Sequence, residues 1–141
     1  MVIKYFEAPD IKALILEIVD VLELLHVKTQ SIHCLRSYGS KSRYTIARIH
    51  GLGKIWQKTF HISPSYIIEV ISERYDSLSE EKKIKVLIHE LLHVPRGFSG
   101  GFRPHKGYVN EKKVEKLYSE MQKKKKENAK RPKNKYVHVK D

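Results

Sequence analysis

From Ile11 to Leu25 the chain is strongly apolar, and its acidic positions Glu17, Asp20 and Glu23 recur every three residues. On a helix these three form one narrow stripe and leave the rest of the cylinder for burial. Pro9 stands where a helix begins, since proline has no amide to lose in the first turn. The pattern predicts a core helix with one wet edge. A membrane-surface role is disfavoured, because anionic lipid would repel an acidic stripe.

The pattern then changes to β-type. A short strand is expected around Ser31 to Arg36. Tyr44 to His50 and Ile55 to His61 are rich in Ile, Thr, Tyr, Trp and Phe, with Gly51-Leu52-Gly53-Lys54 between them, and together read as a hairpin. The Gly-Lys pair is not a phosphate-binding loop, which needs four residues between its glycines and a Ser or Thr after its Lys. Tyr66 to Ile71, after Pro64, suits a strand buried on both faces. About four strands therefore follow the first helix.

Helical signals return at Ser77-Leu78-Ser79-Glu80, where Ser77 and Glu80 have capping-box spacing and Ser79 is an alternative N-cap. This helix should run to about Val94, before Pro95 and the glycines Gly97, Gly100 and Gly101. A last helix is expected from Asn110, with Val114, Leu117, Tyr118 and Met121 on one face. Residues 123–141 then carry nine Lys and Arg against Glu127 and Asp141, which is +7 of the chain's +12. They read as a mobile basic tail, residues 123–141, attached to one domain, residues 1–122.

A length of 141 residues suits that single domain. The net charge favours polyanionic partners or acidic surfaces. One cysteine, Cys34, excludes an intramolecular disulfide and a Cys-rich metal site, and points to a reducing compartment such as the cytoplasm. Neither a signal peptide nor a transmembrane span is expected. No feature sets an oligomeric state.

Within the predicted helix lies Ile88-His89-Glu90-Leu91-Leu92-His93, an H-E-x-x-H motif. Two His four apart project from one helix face a turn apart, which lets two imidazole nitrogens reach one Zn²⁺. Glu90 projects beside them, placed to hydrogen-bond a metal-bound water, take its proton and deliver it to a leaving amine. A catalytic zinc needs a third protein ligand. His105 is the first choice, because the Gly-containing loop Pro95 to Pro104 can fold back over the helix end. Glu111 is the alternative, since some zinc peptidases place a glutamate ligand on a second helix. Tyr108 is a candidate to stabilise an oxyanion, against an ordinary packing role. Arg96 and Arg103 flank the motif and read as solvent-exposed or substrate-orienting groups. The remaining His are scattered singly, and Cys34 reads as a small buried hydrophobe.

At these residues the sequence resembles the zincin metallopeptidases, and more closely the small predicted metallopeptidases of archaea and their viruses, with Ile-His-Glu-Leu-Leu-His followed by Pro, Gly-Gly and a further His. The resemblance spans about Tyr5 to Tyr118 and is strongest from Val86 to Tyr108. It implies a compact, minimal zincin-like α+β domain with a mixed sheet above the active-site helix. It also implies metal ligands at His89, His93 and His105 and a general base at Glu90. The metzincin pattern is not met, because Ser99 stands where its third His would be.

The leading expectation is a metallopeptidase with one Zn²⁺ per chain and a peptide or protein substrate, held by strand addition on an exposed edge such as Ile55 to His61. The alternative is a nucleic-acid-associated protein with a structural metal, or a protease recruited to DNA or RNA by its basic tail.

Overall fold

The computed structural model describes residues 2–130. Its architecture is α+β, with helices packed on one face of a four-stranded mixed sheet. Strand β1 (Lys4–Glu7) leads into α1 (Pro9–Val21), followed by β2 (Ile32–Tyr38), β3 (Ala47–Gly51), α2 (Lys54–Phe60), β4 (Tyr66–Ile71), the short α3 (Ser72–Tyr75) and α4 (Glu80–Leu92). A distorted turn, α5 (His105–Tyr108), precedes the long α6 (Glu111–Lys130). The sheet order is β1-β2-β4-β3, with β2 and β4 parallel and the two outer pairs antiparallel.

Helix α1 buries Ile11, Ile15 and Ile18 against Ile32, Ile68 and Val70 of the sheet and against Ile84, Leu87, Ile88 and Leu91 of α4. Full burial of each such side chain is worth about 1.5–3 kcal/mol. Ser79 caps α4 by accepting from the Lys82 amide at 3.3 Å, so the alternative cap is the one used. Asn110 caps α6 through its side-chain oxygen, 3.0 Å from the Lys113 amide. On the sheet face away from α1 and α4, Ser37, Arg48 and His50 surround the buried Glu69 carboxylate at 2.6, 3.0 and 2.8 Å. Burial raises the proton affinity of Glu69, but these three hydrogen bonds outweigh it and hold its pKa below the ordinary value.

Three expectations are corrected. The Tyr44–His61 hairpin does not form, because β3 pairs with β4, from Ala47 opposite Val70 to Gly51 opposite Tyr66, and residues 54–60 are helical. Their β-type composition is overridden by tertiary and helical contacts. Trp56 and Phe60 stack at i,i+4 with centroids 5.6 Å apart, and Gln57 bonds inward to the carbonyls of Leu52 and Ser99. The exposed edge suggested for Ile55 to His61 is therefore absent, and β3 is the edge strand on that side. The fourth strand is instead β1, whose four exposed residues carry little pattern of their own.

The first residues of the expected tail, 123–130, are helical. Helix α6 continues to Lys130, and Lys125 and Lys124 meet Glu17 and Glu23 of the α1 stripe at 3.0 and 3.6 Å. The rest of the expected tail, residues 131–141, lies outside the described residues. No described helix is long and apolar enough to cross a membrane.

Candidate metal centre

The apolar stripe of α4 faces the core and rolls His89 and His93 toward the opposite side, where both are half-buried. Pro95 ends the helix, and residues 95–104 form the loop that brings the chain back. Several long-range contacts pin this loop. The Tyr66 hydroxyl donates to the Gly101 carbonyl and accepts from the Gly100 amide, both at 2.8 Å. Gln57 donates to the Ser99 carbonyl at 2.9 Å. Gly100 and Gly51 approach so closely that a Cβ on Gly51 would lie 2.2 Å from the Gly100 oxygen, and Gly100 also takes φ +96°. Only glycine tolerates both conditions. Phe98 sits at φ 47° with its ring buried against Tyr66, a left-handed conformation that is unusual for an aromatic residue.

The loop delivers His105 to the helix pair. The ring centroids of His89, His93 and His105 lie 4.7 to 5.4 Å apart, and one nitrogen from each falls within 4.8 Å of the other two. Such a donor set suits a borderline-soft divalent cation, which accepts three imidazoles and keeps a position open. His93 Nδ1 lies 2.9 Å from the Arg103 carbonyl oxygen, so that nitrogen donates and Nε2 keeps its lone pair. Burial, then the neighbouring His93 and His105, hold His89 below the ordinary imidazole range, leaving it neutral at pH 7.

Glu90 is 7% exposed, has no hydrogen-bond partner among the described residues, and faces the hollow that the three His line. Burial pushes its carboxyl up to about 8 in the metal-free site, and a cation held by the three His would favour the ionised form. Glu111 is exposed and lines a neighbouring cavity with His89 and Glu90, outside the three-His cluster. Tyr108 is exposed, its ring flanked at 5.4 Å by both Arg103 and Lys113, and lines neither hollow. Cys34 is buried and its thiol is pushed up to about 11, as desolvation requires. The sequence reading missed the Arg103 carbonyl, the Tyr66 hydroxyl and β3, whose Ala47, Arg48 and Ile49 form one wall of the hollow. Backbone groups leave no residue-type signature, and Tyr66 read only as a strand residue.

Fold and site together define a small α+β protein with an all-imidazole cluster able to hold a metal, beside a buried carboxylate. A family model described as "Putative phage metallopeptidase" matches residues 3–132, and the chain belongs to that family. Membership implies a metallopeptidase, and with it a bound metal and a peptide or protein substrate. Neither the curated proteins nor the solved structures gave a match.

Proposed function

We propose that the protein is a zinc-dependent peptidase in which His89, His93 and His105 hold the metal and Glu90 is the general base. Zinc bound there supplies Lewis acidity, polarising the scissile carbonyl and acidifying water. Glu90 takes the proton of the attacking water on a carboxylate oxygen, and the same oxygen returns it to the departing amine as the C–N bond breaks. The free edge of β3 orients the substrate by pairing with an extended segment of its backbone. Its place beside Glu90 and the three His puts the peptide bond within reach of both.

The observation that carries this reading is Glu90, a largely buried residue without a side-chain hydrogen-bond partner among the described residues, whose carboxyl opens to the three-imidazole hollow. A closed structural metal site has no use for such a group, so a structural metal in a nucleic-acid-associated protein explains less. The test is elemental analysis of the purified chain followed by digestion of a peptide library. About one zinc per chain with metal-dependent cleavage supports the reading, and bound zinc without cleavage of any library peptide overturns it.

A further inference from the structure

Beyond Glu90, toward α6, the hollow opens into a second cavity of about 590 Å³ that shares His89 and Glu90 with the metal centre. Its walls are of two kinds. Ile46, Val86 and Val114 supply apolar surface, while Glu111 and Glu115 stand on the first turns of α6. Lys85 also lines it, but its ammonium is held between Glu81 at 2.7 Å and Glu115 at 2.8 Å, which accounts for those charges. Glu111 makes no ion pair among the described residues. Glu90, 7% exposed as a residue, lines the same space and makes no side-chain hydrogen bond among the described residues. In a chain of net charge +12, Glu111 thus places a carboxylate without an ion pair at this cavity.

Resting on the peptidase reading, we propose that this cavity is the subsite for a lysine or arginine side chain next to the scissile bond, and that Glu111 selects it. A basic side chain is an apolar stem with a cationic tip, and the cavity offers an apolar wall followed by a free carboxylate. Its volume is ample for one such side chain. An acidic side chain is disfavoured by Glu111, and an apolar one gains nothing from it.

The experiment uses full-length, zinc-loaded Glu90→Gln, which binds without turning over. Its probes are short capped Ala/Gly peptides carrying one central Lys, norleucine or Glu. The Lys peptide is expected to bind about tenfold more tightly than its norleucine match, as for a charge-assisted hydrogen bond. Adding Glu111→Gln should bring that ratio near one, and adding Glu111→Lys should favour the Glu peptide, with zinc content unchanged throughout. Equal binding of Lys and norleucine overturns the proposal, as does a Lys preference that survives Glu111→Lys. Loss of zinc in Glu111→Gln also overturns it, by making Glu111 a ligand. A digest by the wild type separates this from the reading beneath it. Cleavage without Lys or Arg enrichment beside the bond removes the subsite and leaves the peptidase. A Lys preference in binding without any cleavage removes the peptidase and leaves the subsite.

Discussion

His93 and Arg103 are joined twice through the backbone of Arg103. Its carbonyl accepts from His93 Nδ1 at 2.9 Å, and its amide donates to the His93 carbonyl at 2.7 Å. The pair closes the end of α4 and fixes the tautomer of the His93 ring in one step. Because only main-chain atoms of Arg103 take part, whatever places the loop controls the ring.

Loop placement is the first test. Tyr66→Phe removes the hydroxyl that serves Gly100 and Gly101 and leaves both backbone groups short of a partner. The expected cost is about 1–3 kcal/mol in denaturant unfolding. Metal affinity should fall about 10–100-fold, the usual effect of losing support behind a ligand. Arg103→Ala keeps the main-chain bonds and should stay within about threefold of wild type. Titration of both variants with a chromophoric zinc chelator distinguishes them, and a larger loss in Arg103→Ala contradicts the assignment.

Metal stoichiometry follows from the imidazole cluster. His89→Ala and His93→Ala should each lose the zinc almost wholly, and His105→Ala should bind it far more weakly, since two helix His alone make a poor site. Glu111→Ala should retain it. Retention in His105→Ala with loss in Glu111→Ala would transfer the third ligand to α6.

Glu90→Gln should keep fold and zinc while abolishing hydrolysis, because the amide preserves size but does not accept a proton at neutral pH. Turnover equal to wild type removes Glu90 from the mechanism, and loss of zinc makes it a ligand.

Acid stability has its own signature at the α1 entrance. Arg36 donates to Asp10 at 2.7 and 2.9 Å and to Asp76 at 2.8 Å. The Arg36 hydrogen bond lowers the Asp10 pKa, and for Asp76 the bonds from Arg36 and Ser72 overcome burial, so its pKa is lowered as well. A carboxylate whose folded pKa is depressed stabilises the protein above its unfolded pKa, and that contribution disappears as pH falls through the folded value. Melting temperature should therefore drop as pH falls below about 4. Asp10→Asn should flatten that limb, and an unchanged slope would show that the pair contributes nothing.

Much of the site was legible because its main part is local. The His89, Glu90 and His93 spacing, the Ser79 cap, the Pro95 stop and the 3.6-residue stripes of α1 and α6 all act within a few turns of one helix. Local geometry is written in local sequence. Residues 54–60 show the opposite case. Their composition favours a strand, yet contacts of Gln57 with a loop more than forty residues away, and the pairing of β3 with β4 rather than with them, leave them helical.

By itself, then, the sequence determined the α+β class, the helix that carries the H-E-x-x-H motif, the paired imidazoles with their carboxylate and the face that α6 buries. Tertiary structure alone decided that β1 completes the sheet, that β3 is the edge beside the hollow, and that His105 rather than Glu111 stands with His89 and His93. It also decided that Lys124 and Lys125 continue a helix against the acids of α1. The physical reason is the same throughout: each outcome depends on closing a loop, and the closing contacts, Tyr66 to Gly100, Gly51 to Gly100 and Glu17 to Lys125, join residues that no local pattern connects.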